Sequence, residues 1–246
     1  MTAADEATRN LERLRGNPYP GRGLVVGRTA GGLLAQVYWV MGRSENSRNR
    51  VLVRAGTDVR TAPFDPSRMT DPSLVIYRAL AEAAGRWHVV SNGDQTDTLV
   101  AALEAGGTFE EALRGRTFEP DPPNYTPRIA GLFAAGPGAE DGYALAILKA
   151  PGNDPGQTAR QFFRYAPACP GAGHGVTTYA HGGDPLPPFC GEPLPLPLAA
   201  DDARTLAETY WSALDPGNRV ALVAKIVPHA GGPADIHILN RHRGPA

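Results

Sequence analysis

The sequence has little of what most functional classes display. Its 246 residues include two lysines, Lys149 and Lys225, and two cysteines, Cys169 and Cys190. Neither cysteine belongs to a CxxC pair, so a redox dithiol or a thiolate zinc site has no framework. Both are expected as buried or incidental thiols, unpaired in a reducing compartment. The histidines keep no HExxH or comparable spacing: His237 and His242 are five apart, and His174 and His181 flank a strand. No metal site is expected from that pattern. A GxSxG elbow, a Walker A loop and a GxGxxG turn are all missing. No apolar run approaches the roughly 20 residues that span a bilayer. The first residues, MTAADEATRNLERLRG, are polar and charged, unlike a signal peptide. A cytoplasmic protein without a membrane partner is the expectation. The net charge of −1 gives no basic excess for general nucleic-acid binding.

What is present is a core and arginine. Hydrophobic residues make up 42% of the chain, enough for a sizeable interior. With two lysines, anion recognition falls to guanidinium groups, which suit bidentate binding of carboxylate or phosphate. No repeat, heptad or interdomain linker divides the chain, so one domain over 1–246 is expected, with 1–16 as an N-terminal helical extension.

Periodicity and punctuation give the elements. Helices are expected near 6–15, 71–85, 96–105, 108–113 and 201–214. In the fourth, Thr108 and Glu111 have capping-box spacing. The helix over 71–85 is read from Asp71, Pro72 and Gly85 as its punctuation. Strands are expected at 23–27, 33–41, 50–56, 86–91, 175–181, 219–227 and 234–242, with three more between 128 and 166. Many strands with short turns and a few helices imply an α+β domain with largely antiparallel sheet.

Four segments are more polar than a plain core requires. Between two apolar strands, GRSENSRNR (42–50) crowds three arginines with serines and asparagines. Tyr77 lies inside the expected helix. VVSNGDQTDTL (89–99) joins a strand to a helix through Ser91, Asn92 and Gly93, a junction that either caps the helix or receives an oxyanion. RTFEPDPPNYTPRIAGL (116–132) carries Glu119, Asp121, Asn124 and Arg128 on a backbone stiffened by prolines.

Together with NPYPGRGLVVG, DPSLVIYRAL and YAHGGDPLPPFCGEP, these segments occur in an order that resembles the archaeal-type IMP cyclohydrolase family, and its longer bacterial branch in particular. The resemblance covers most of residues 17 to 193. It implies a four-layer αββα sandwich like that of N-terminal-nucleophile hydrolases, without autoprocessing. It implies closure of 5-formamidoimidazole-4-carboxamide ribonucleotide (FAICAR) to inosine monophosphate (IMP) with loss of water. That small-molecule substrate would need no metal, nucleotide or redox cofactor. The family's catalytic arginine, tyrosine and glutamate fall on Arg50, Tyr77 and Glu119. Arg50 is assigned to the formyl oxygen or carboxamide carbonyl, Tyr77 to proton transfer or orientation, and Glu119 to proton transfer from the carboxamide. Arg43, Asn49, Ser91, Asn92, Gly93, Asp97 and Arg128 are the candidates for holding base, ribose and phosphate. The chain is longer than the short archaeal form by about two residues within 43–50. Arg43, Arg48 and Arg50 therefore compete for the reacting carbonyl, with Arg50 the choice. Another amide or lactam chemistry on the same scaffold, and a purine-nucleotide-binding protein without turnover, stay open, as does a homo-oligomer.

Overall fold

The structure, a computed structural model, describes residues 3–69 and 71–242. In chain order the elements are α1 (Ala3–Arg15), β1 (Gly23–Arg28), β2 (Leu34–Met41), α2 (Glu45–Arg48), β3 (Arg50–Ala55), β4 (Asp58–Pro63), β5 (Arg78–Ala83), β6 (Trp87–Ser91), α3 (Gln95–Glu104), α4 (Phe109–Leu113), β7 (Arg128–Ala134), β8 (Tyr143–Lys149), β9 (Ala159–Tyr165), β10 (Ala172–Thr177), β11 (Leu194–Pro197), α5 (Ala203–Ala213), β12 (Arg219–Val227) and β13 (Asp235–Asn240).

The strands form two sheets. One has six strands in the order β11-β10-β1-β2-β12-β13, the other seven in the order β3-β4-β5-β6-β7-β8-β9. Neighbouring strands in both pair antiparallel. Alternation along each strand sends side chains to opposite faces, and here both faces are apolar. On β2, Tyr38 and Val40 join Leu80, Val90 and Ile147 of the second sheet in one buried cluster, so the sheets pack face to face. The alternate residues Val37, Trp39 and Met41 join Leu11 and Leu14 of α1 and Leu206 and Tyr210 of α5. The outer face of the second sheet, with Ala81, Val89 and Leu132, is covered by Leu99 and Leu103 of α3 and Phe109 of α4. Helix α1 is therefore built into the core rather than being an appended extension.

The expected helix over 71–85 is not formed. Arg78–Ala83 is strand β5, which pairs with β6 through Leu80↔Val90 and Ala83↔Trp87. Ala84 and Gly85 both take positive φ and make the hairpin turn. The run of alanines that favours helix in isolation serves here as a thin stretch of sheet, on which α3 closes. β4 and β11 were not foreseen in the sequence, nor was the single turn of α2. Cys169 and Cys190 are free and exposed rather than buried.

Among the polar links that join the two sheets, two sit at one end of the apolar space between them. The fully buried Lys225 of β12 donates from Nζ to Glu82 of β5 at 2.7 Å, and Gln36 of β2 donates from Nε2 to the His88 carbonyl at 2.8 Å. Both lie toward the start of β2, the end away from the loop that leads to β3.

Candidate active site

At the other end, where β2 leaves the first sheet and the chain crosses to β3 in the second, lies a cleft of about 280 Å³. Its floor carries charge. Arg22, just before β1, makes a two-pronged ion pair with Glu119: Nη1 donates to Oε1 at 2.9 Å and Nη2 to Oε2 at 2.6 Å. Both side chains are buried. Arg22 Nη1 also donates to the Asn92 carbonyl at 2.9 Å. Burial opposes the charge on Arg22, but Glu119, Tyr77 and Tyr38 together outweigh it, and Arg22 stays cationic. Burial also holds the Glu119 carboxyl above its ordinary range, against the pull of Arg22.

Arg50 forms a second wall. The loop before it is tied in place: Ser44 caps α2 by accepting from the Ser47 amide, and Arg50 Nε donates to the Ser47 carbonyl at 2.8 Å. One Nη contacts the Met41 carbonyl at 3.4 Å. A guanidinium has five N–H donors, so Arg50 is anchored by its rear edge and still has donors for a ligand. Arg43, on the cleft's outer rim, lies over the Tyr19 ring at 4.7 Å and donates to the Gly183 carbonyl. A third side is a hydroxyl relay: the Thr126 hydroxyl is bonded to Asp121 and, at 2.5 Å, to the Tyr179 hydroxyl. Three guanidiniums against the carboxylates of Glu119 and Asp121 leave the cleft with net positive charge.

The candidate residues separate into groups. Arg50, Glu119 and Arg43 line the cleft. Tyr77 is buried behind it, its hydroxyl 2.6 Å from that of Tyr38. Burial, and then the neighbouring Tyr77, keep the Tyr38 hydroxyl well above the ordinary range, so it holds its proton, while Arg22 and Arg50 pull the other way. Ser91, Asn92 and Gly93 are scaffold rather than lining. Asn92 is fully buried and clasps β7, accepting from the Ile129 amide and donating to the Pro127 carbonyl. Ser91 bonds Thr96 at 2.5 Å. At Gly93 a β-carbon would lie 2.6 Å from an Arg128 nitrogen and 3.3 Å from a Glu119 oxygen, so a side chain there would push on the carboxylate. Arg128 does not line the cleft: it is paired with Asp94 and Gln95, close enough to Glu119 for the two charges to attract. Asp97 pairs with Arg78 on the surface, and Asn49 clasps Asp65 through two 2.8 Å bonds. Arg48 is tied to the Gly42 carbonyl and Asn218 and does not line the cleft. Of the three competing arginines, Arg50 is the one whose buried guanidinium borders it together with Glu119.

Sequence reading missed Arg22 and Tyr38. Arg22 sits in the GRG of the matching segment NPYPGRGLVVG, and its presence there was the available signal. Tyr38 gives none, because a tyrosine in an apolar strand reads as core.

The family model described as IMP cyclohydrolase-like protein matches residues 19–231. The chain belongs to the IMP cyclohydrolase-like family. Every cleft residue named above, from Tyr19 to Gly183, falls within the matched region. The IMP cyclohydrolase of Methanopyrus kandleri is 39% identical over 116 residues. That alignment spans 46% of this chain and 57% of the relative, little more than half of its length.

Proposed function

We propose that the cleft closes FAICAR to IMP, and that the two face-to-face sheets with their helices are an αββα sandwich of the N-terminal-nucleophile hydrolase kind. Family membership supports the reading. The observation that carries it is the buried Arg22–Glu119 pair facing the anchored Arg50 across one cleft.

The reaction asks for little else. The carboxamide nitrogen bonds to the formyl carbon and gives up one proton, and the formyl oxygen becomes a hydroxyl. That oxygen then leaves as water, with the proton of the formamide nitrogen, and a C=N bond remains. Both groups sit on one imidazole, so fixing the formamide rotamer removes much of the barrier through proximity. Arg50 is aimed to hold the oxygen on which negative charge develops. Glu119 accepts the carboxamide proton, because burial makes it a stronger base than an exposed carboxylate. The Thr126–Tyr179 hydroxyls offer a path for the proton that departs with water. The cationic rim around Arg43 suits the 5′-phosphate.

The test is to mix the purified protein with FAICAR and follow the ultraviolet change on ring closure. Turnover is expected, and Arg50→Ala and Glu119→Gln should each lower kcat by about 10²-fold or more. Tight IMP binding without turnover would replace the enzyme by a binding protein. Turnover unchanged in both variants would move the site elsewhere.

A further inference from the structure

Past Arg43, on the side away from Glu119, a second concave site of about 390 Å³ opens. Four arginines border it: Arg43, Arg48, Arg68 and Arg241. The one carboxylate among its lining residues is Glu45, which pairs with Arg68. The other three spend donors on neutral acceptors. Arg48 reaches the Gly42 carbonyl at 2.9 Å and Asn218, Arg241 reaches the Gly217 carbonyl at 2.8 Å, and Arg43 the Gly183 carbonyl at 3.1 Å. A carbonyl orients a guanidinium without cancelling its charge. The site therefore holds pre-positioned positive charge in excess, which favours an anion with several oxygens.

Its remaining wall is aromatic. Phe64 is 38% exposed, one of two large hydrophobic side chains so placed among the described residues. Its ring stacks on His242 with centroids 4.5 Å apart and planes 20° apart. The position is enforced, because the Phe64 amide donates to the Asn49 carbonyl and Asn49 clasps Asp65. A flat ring beside clustered guanidiniums matches a molecule with a planar base and phosphate. Arg241 and His242 lie beyond residues 19–231, so part of this site is outside the region the family model covers, while Phe64 is inside it.

We propose that this site binds a second nucleotide, one carrying more than one phosphate, with its base on Phe64 and His242 and its phosphates among Arg48, Arg68 and Arg241. Arg43 and the 42–49 loop border both clefts, but the residues assigned to the second nucleotide are separate from Arg50 and Glu119. The binding itself does not depend on the ring-closure reading and is measured without turnover.

Titration calorimetry on the full chain uses ATP as one probe and inorganic tripolyphosphate as the other. ATP is expected to bind. The Arg68→Glu, Arg241→Glu double variant should weaken both probes by roughly tenfold or more, about 1.4 kcal/mol. Phe64→Ala should weaken ATP and leave tripolyphosphate unchanged. Arg50→Ala, which alters the neighbouring cleft, should leave ATP binding as it was. The thermal melt of each variant checks that it is folded, and variants at the exposed Phe64, Arg68 and Arg241 are expected to melt as the parent does. No ATP binding by the parent overturns the proposal. So does ATP binding that Phe64→Ala or the double variant leaves intact, or that Arg50→Ala weakens as much as the double variant does.

Discussion

At the scale of single residues the buried Arg22–Glu119 pair is the most consequential feature. Removing one member of a buried ion pair leaves the other charge without compensation, at a cost of about 3–5 kcal/mol. Glu119→Gln should therefore lower both turnover and melting temperature. The double variant Arg22→Met, Glu119→Leu should regain stability but no activity, and melting curves alongside rates for the set separate the two roles. The same residue sets a pH dependence. Proton acceptance needs the ionised carboxylate, and burial raises the Glu119 carboxyl above its ordinary 4.5. The acid limb of kcat/KM should accordingly have its midpoint above 4.5, with activity present above that midpoint and lost as pH falls through it. An acid limb at or below the ordinary value would remove Glu119 as the base. Stability runs the other way: a raised acid favours the protonated native state, so the contribution of Glu119 declines as pH rises.

At the scale of elements, legibility in the sequence depended on how local the cause was. Helix α4 was readable because its capping box closes within four residues, and Thr108 and Glu111 make both reciprocal bonds. Helix α5 was readable because Asp202 caps it and an apolar stripe runs along it. β5 was not, because its alanines become strand only by pairing with β4 and β6 beneath α3, and a run of alanines carries no signal of that pairing. The site shows the same division. Arg50 and Glu119 could be named from motifs, but that Ser91, Asn92 and Gly93 act as scaffold depends on β7, more than 30 residues away in sequence. A prediction follows for β5. Ala81 is fully buried beneath α3, and Ala81→Leu should overpack that contact and cost about 1–3 kcal/mol, read as a lower midpoint in urea unfolding. No change in midpoint would mean that α3 yields easily to a larger side chain.

At the scale of the whole molecule, two histidines tie stability to pH. Burial, and then the neighbouring Lys225, lower His88 from 6.5 to about 4, and burial lowers His174 to about 4. Each is neutral in the native state and must be charged when the unfolded chain takes up protons. A depressed native value means that the unfolded state binds more protons between the two values. Stability should hold above pH 6.5 and decline between about 6.5 and about 4. Melting temperature measured across that window should show the decline, and it should be shallower in His88→Gln and in His174→Asn. Equal slopes in parent and variants would exclude both histidines as the cause.

The links of Lys225 to Glu82 and of Gln36 to His88 have one more consequence. Apolar faces tolerate sliding, since a slipped pair of greasy surfaces still excludes water. An ammonium does not, because in any other alignment it would be stranded without a counter-charge, at several kcal/mol. The two halves of the molecule thus carry an alignment check at the end remote from the chemistry. Arg50 belongs to one half and Arg22 to the other, so the groups that must face each other arrive together only in a chain that has passed it.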